Sequence, residues 1–318
     1  MAPRILRDVS HVDASTDLLD TTYDLPLGIA PMTLQRAADP DGEVAMARAV
    51  AAAGVPMVVS SNSGSTFSDI AATGASWWLQ VYLPTRRDDA LPLLDAAVAA
   101  GAAAVVLTAD TPVLGTRYRL PEGPHVWDMA EPTWLNANAP VTSGLHREDR
   151  AKAMDLGPTD VAWLAETTGL PVVVKGVLRA DDASRCADAG AGAVWISNHG
   201  GRQLDQSVAT AGCVAAVRAA VPSGVQVYVD GGLRSGLHVM LAAALGADVA
   251  FSWDGRCSTR SPREESRARS GHSRNLVPSS SSRCDWPAVR HSWTRGRSCC
   301  RRAAEARRKD ADLRESLV

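Results

Sequence analysis

The stretch WISNHGGRQLD, residues 195–205, sets a histidine, two glycines, an arginine and an aspartate directly behind a short apolar run. An imidazole titrates near neutral pH, so His199 is the natural proton acceptor. Asp110, in TADTP, can hold that imidazole in one tautomer and stabilise its charged form. Arg202 and Arg117 offer planar forks suited to a carboxylate. Lys175 ends the apolar run PVVVK, which aims its ammonium at developing negative charge. In DGGLRSG, residues 230–236, Asp230, Gly231, Gly232 and Arg234 stand at a strand-to-helix turn. Such a turn presents backbone N–H groups and a cation to a phosphate. The set predicts an anionic substrate, a base and a phosphorylated cofactor. His199 has no His or Cys partner at ligand spacing, so no metal site is expected.

These groups need a scaffold that gathers them. Apolar, β-rich runs occur at 27–31, 56–61, 77–82, 104–110, 171–177, 193–198, 226–232 and 247–251. Alanine-rich segments with helical spacing lie between most of them, at 42–53, 88–100, 160–169, 180–189 and 235–245, each with a glycine stop at or just past its end. Strands alternating with helices call for parallel pairing under a helical cover, and eight of them favour a closed (β/α)8 TIM barrel. No GxGxxG follows the first strand, which weakens an open dinucleotide-binding sheet. Before Leu27 a helix-plus-strand pattern is largely absent, and the connection 111–158 reads as a loop or lid.

In such a barrel, residues at the C-terminal strand ends share one mouth. In order they are Pro31, Met32 and Thr33; Ser60; Gln80 and Tyr82; Thr108 and Asp110; Lys175; Ser197 and His199; and Asp230 with Arg234. Seven consecutive strands thus end in groups able to bind or react. Each has a plainer reading: Asp110 as a turn cap, Arg117 as a solvated loop residue, Tyr82 as a core aromatic with a wet hydroxyl. Trp77, Trp78, Trp163 and Trp195 are expected to pack rather than bind.

The net charge of −2 hides an asymmetry. Residues 251–318 hold 16 of the 33 Lys and Arg and 8 of the 35 acidic residues, a balance of +8 against −10 for the rest. Four of the six cysteines lie there too, and the other two, Cys186 and Cys213, suggest a reduced, cytoplasmic protein. No secretory signal and no membrane-spanning run is visible.

The signature SNHGGRQLD, with the blocks IAPMTLQRAADPDGE, LQVY, LTADTPVLGTRYR, VKGV and DGGLRSG in that order, resembles the FMN-dependent α-hydroxy acid oxidases and dehydrogenases, the family of glycolate oxidase, lactate oxidase and mandelate dehydrogenase, from about Pro3 to Ala250. The resemblance implies FMN resting against Pro31, Met32 and Thr33, with Ser60, Gln80 and Thr108 bonded to its ring and Lys175 at its pyrimidine end. It places Ser197, Gly231 and Gly232 at the cofactor, Asp230 on the ribityl chain and Arg234 on the phosphate. Tyr82, Arg117 and Arg202 would hold a small 2-hydroxy acid, and His199 would take a proton from the α-carbon or from the hydroxyl, leaving a 2-oxo acid. Neither nucleic acid nor a membrane is an expected partner. A homo-oligomer is typical of the family, an expectation that the C-terminal segment weakens.

Two departures from the family qualify this reading. The family's N-terminal helical segment with its substrate-binding tyrosine has no counterpart here, and Tyr23 lies in a different block. After Phe251 the family's Gly-Arg-Pro turn and last helix give way to SWDGRCSTRSP and an Arg/Ser-rich tail. One permitted set of codons for that segment, read two bases on, translates as LGRPVLYALA, so the tail is read as frameshifted rather than as a nucleic-acid-binding arm. The expected organisation is an incomplete barrel domain over 1–251 and a disordered tail over 252–318. The alternative to an active enzyme is a remnant of the family that fails to retain FMN.

Overall fold

The structure, a computed structural model, describes residues 5–113, 115, 132–135, 137–138 and 152–252. Eight strands close into a parallel barrel: β3 (Leu27–Ile29), β4 (Met57–Ser60), β5 (Trp77–Val81), β6 (Val105–Thr108), β7 (Val172–Val177), β8 (Ala193–Ile196), β9 (Gln226–Val229) and β10 (Val249–Ser252), with β10 paired to β3. Helices α1 (Gly42–Ala53), α2 (Phe67–Ala71), α3 (Leu91–Ala99), α5 (Pro158–Thr168), α6 (Ala180–Asp188), α7 (Val214–Ala220) and α8 (Gly236–Leu245) link successive strands, and a short α4 (Pro132–Leu135) belongs to the connection after β6. The expected TIM barrel is therefore present. Gly54 and Gly169 end α1 and α5 in the left-handed conformation, as their stop signals predict.

Period-two alternation decides what each strand shows the barrel interior. Val58, Trp78, Val106, Val173, Trp195, Tyr228 and Phe251 form one buried cluster inside, while Met57, Val59, Leu79, Leu107 and Val174 face the helices. Four aromatic rings fill the centre: Trp195 stacks on Phe251 with centroids 4.0 Å apart, and Tyr228 and Trp78 close around them. Two residues further along the same inward faces come Ser60, Gln80, Thr108, Lys175, Ser197 and Asp230. The strand period alone carries these polar groups above an aromatic floor.

The segment before Leu27 holds more structure than its sequence suggests. β1 (Thr16–Leu18) and β2 (Thr21–Tyr23) form an antiparallel hairpin. Leu18 and Tyr23 join the interior cluster, Tyr23 shares a 2.6 Å hydrogen bond with Ser76, and Gln226 accepts from Leu19 N and donates to Asp17 O. The hairpin thus plugs the N-terminal end of the barrel, opposite the polar mouth. Three-residue strands are too short to produce a periodic signal, which is why the sequence conceals them. Burying Leu18 there contributes about 1.5–3 kcal/mol.

Candidate active site

Ser60, Gln80, Thr108, Lys175, Ser197 and Asp230 are all at least 94% buried, and their partners explain how polar groups tolerate that. Gln80 Nε2 donates to Thr108 Oγ1 at 3.0 Å. Lys175 Nζ donates to Ser197 Oγ at 2.8 Å and lies 3.2 Å from Asp230 Oδ2. Ser197 Oγ donates to the same carboxylate oxygen at 3.0 Å, and Thr210 Oγ1 donates to the Asp230 carbonyl. The result is a buried cation and anion joined directly and through one hydroxyl. Such a pair is held in place because losing either partner strands the other charge.

The same hydroxyl reaches the base. His199 N donates to Ser197 Oγ at 3.1 Å, and Gly200 N donates to Asn198 Oδ1. These bonds hold His199 at φ +56°, a left-handed conformation that non-glycine residues adopt at a cost. Its Nδ1 lies 3.0 and 3.2 Å from the two carboxylate oxygens of Asp110. A carboxylate accepts only, so Nδ1 carries the hydrogen and Nε2 is the ring's accepting nitrogen. The imidazole keeps about a quarter of its surface open, as a group meeting a substrate must.

Tyr82 flanks this pair. Its phenol is pushed up to about 12, first by burial and then by the charge of Asp110, while Arg202 pulls in the other direction. The phenol is therefore neutral and within electrostatic reach of both. Lys152 stacks its ammonium 3.7 Å from the Tyr82 ring centroid, a contact no sequence motif announced. Arg202 is exposed at the rim, and beside it Gln203 Oε1 accepts from Gly115 N at 2.9 Å, tying the loop after β6 to the loop after β8.

The remaining expected residues sit around this centre. Pro31, Met32 and Thr33 are half-buried just beyond β3. Gly231, Gly232 and Arg234 form the exposed turn before α8, where Arg234 N donates to His238 Nδ1. Arg117 and residues 253–318, with the expectations placed on them, lie outside the described residues, as does most of the 111–158 connection. Trp77, Trp78 and Trp195 are buried packing residues, and Trp163 packs against the core. Sequence reasoning missed Glu43. This fully buried carboxylate accepts from Gln35 N, Gly64 N and Ser65 Oγ, joining the loops after β3 and β4. A signal existed: Glu43 shares the i, i+4, i+7 stripe of α1 with the buried Ala47 and Val50. Among the described residues there is no cluster of three or more metal-ligating side chains, and no helix is long and apolar enough to cross a membrane.

Comparison with known proteins agrees with this fold. The FMN-dependent dehydrogenase family matches residues 1–256. An L-lactate oxidase from Nostoc sp. is 39% identical over 268 residues, covering 79% of this chain and 73% of the relative. A 4-hydroxymandelate oxidase from Amycolatopsis orientalis is 39% identical over 264 residues, covering 78% and 72%. A crystal structure of mandelate oxidase with 3,3-difluoro-2-hydroxy-3-phenylpropionic acid superposes with a TM-score of 0.67 at 37% identity, covering 79% of this chain and 71% of that one. The chain belongs to the FMN-dependent α-hydroxy acid oxidase and dehydrogenase family, enzymes that use FMN to oxidise 2-hydroxy acids.

Proposed function

We propose that this chain oxidises a small 2-hydroxy acid to the 2-oxo acid with His199 as the base and Tyr82, Arg202 and Arg117 as the substrate-binding groups. The observation that carries the reading is the His199–Asp110 pair, with Nε2 accepting, set beside the neutral Tyr82 phenol and above the buried Lys175–Ser197–Asp230 group.

The donor set fits FMN. Ser60, Gln80 and Thr108 offer hydroxyl and amide groups of both donor and acceptor character to a flat heteroaromatic edge, and Lys175 supplies a cation there. Asp230 can accept from a polyol chain, and the Gly231–Gly232–Arg234 turn suits a phosphate. Pro31, Met32 and Thr33 provide a half-buried lip for a ring face. Bound FMN supplies the acceptor for two electrons and one hydrogen.

The substrate must lose two protons and two electrons to become the 2-oxo acid. Arg202 and Arg117 pair with its carboxylate and fix which face meets the base. The neutral Tyr82 phenol donates to the substrate oxygen. His199 Nε2 takes a proton either from the α-carbon or from the hydroxyl as the α-hydrogen leaves with the electron pair. In both routes the imidazole ends positively charged opposite Asp110, which stabilises it.

The test is His199→Ala in the FMN-loaded protein, mixed anaerobically with lactate, glycolate or 4-hydroxymandelate while the flavin absorbance is followed. Flavin binding should persist and reduction should slow by about 10²–10⁴-fold, the usual contribution of a positioned base. An unchanged reduction rate overturns the base assignment. A colourless wild-type protein that gains no flavin absorbance with added FMN overturns the enzyme reading in favour of an inactive family remnant.

A further inference from the structure

Strand β7 lies between β6 and β8, yet Asp110, beyond the end of β6, bonds His199, beyond the end of β8. The two parent strands are two strand spacings, roughly 10 Å, apart, so the pair must bridge across the end of β7. The β7 residue beneath that bridge is Gly176. The pairing of β7 with β8 shifts register there, between Lys175 and Val177. The shift reverses the strand's parity: Lys175 faces the mouth, while Val177 joins the outer core with Val172 and Val174. Gly176 itself has φ +109°, which a side chain rarely tolerates. A Cβ built on it would stand 2.5 Å from Asp110 Cβ, 2.8 Å from its Cγ and 2.9 Å from its backbone N. Asp110 cannot yield by a rotamer change, because its own backbone is part of the contact. The adjacent peptide is fixed as well: Ala109 N donates to Lys175 O at 2.9 Å.

We propose that Gly176 is a positioning residue for the reaction: by lacking a side chain at the bulge of β7, it leaves the space through which Asp110 reaches His199. The proposal rests on the reading of His199 as the base. Gly176 touches no reacting atom and acts through Asp110, while the same bulge turns Val177 outward, away from the mouth.

The experiment compares Gly176→Ala, Asp110→Asn and the double variant in the FMN-loaded enzyme. Gly190→Ala serves as the control for strain alone, since Gly190 has φ +88° and nothing within 4 Å of a built Cβ. Two readouts are taken: the rate of flavin reduction by substrate, and the downfield ¹H NMR resonance of the His199 Nδ1–H, which reports the Asp110 bond without turnover. Gly176→Ala should lose the resonance and slow reduction by roughly 10²-fold or more, with FMN affinity and inhibition by the 2-oxo acid product little changed. The double variant should be no slower than Asp110→Asn, because both changes break the same link. Retention of the resonance in Gly176→Ala, or effects that multiply in the double variant, overturns the proposal. If Asp110→Asn reduces flavin at the wild-type rate, the base reading fails instead, and the resonance still judges Gly176. Should Gly176→Ala not accumulate as folded protein, the alanine is placed in an Asp110→Gly background. Recovery of soluble protein there supports the steric conflict, and no recovery together with failure of Gly190→Ala, which carries the backbone strain without the contact, overturns it.

Discussion

Replacing Asp110 with asparagine keeps the shape of the His199 contact and removes its charge. The imidazole Nδ1 lies 3.0 and 3.2 Å from the carboxylate oxygens, with side chains 24% and 12% exposed. Unit charges about 4 Å apart interact by ~4 kcal/mol at an effective dielectric of ~20. The open quarter of the imidazole screens part of this, leaving about 2–4 kcal/mol of support for the protonated ring. The amide adds a second loss, since its N–H can donate to Nδ1 and leave the hydrogen on Nε2, where the accepting lone pair is needed. Together these predict a fall of about 10²–10⁴-fold in flavin reduction. The assay is anaerobic stopped-flow mixing of FMN-loaded enzyme with its best 2-hydroxy acid, with FMN affinity measured in parallel. Affinity should stay within about threefold of wild type, because charge support for the base is a separate role from holding the cofactor. A reduction rate within about threefold of wild type would refute the reasoning.

Lys175→Met leaves Asp230 buried without its cation and should cost about 3–5 kcal/mol in urea unfolding; a loss below about 1 kcal/mol would mean the carboxylate finds another partner. Trp195→Ala removes the ring stacked on Phe251 and should cost about 3–5 kcal/mol, also read by urea unfolding, unless the aromatic floor is not the barrel's core. Tyr82 is raised in the folded protein from 10.0 to about 12, so the fold holds a proton that the unfolded chain releases. The stability this contributes is complete below pH 10 and is lost as pH rises through about 12. Tyr82→Phe should therefore lose less stability than wild type between those values, and parallel losses would contradict the shift.

Much of the architecture was legible because it follows from local pattern. Eight apolar runs, alanine-rich helices and glycine stops specify a parallel barrel without reference to any contact. The inward face was legible too: Ser60, Gln80, Thr108, Lys175, Ser197 and Asp230 each follow, two residues on, a side chain of the barrel interior. Glu43 could have been noticed as a carboxylate on an apolar helical stripe. The N-terminal hairpin could not, because its strands are three residues long and its stability comes from packing Leu18 and Tyr23 into the barrel end.

Residue types and the strand period, both properties of the chain itself, determined which groups line the mouth and that a base, a carboxylate and cations are among them. Only the closed barrel decided which of them meet. His199 and Asp110 are 89 positions apart in sequence, and Lys175, Ser197 and Asp230 come from three different strands. Their distances depend on sheet closure, on a register shift at one glycine, and on a left-handed histidine held by a neighbouring hydroxyl. Closure and the register shift are settled by contacts between segments remote in sequence, and the hydroxyl that holds His199 is itself fixed by Lys175 and Asp230 from other strands, where periodicity carries no information.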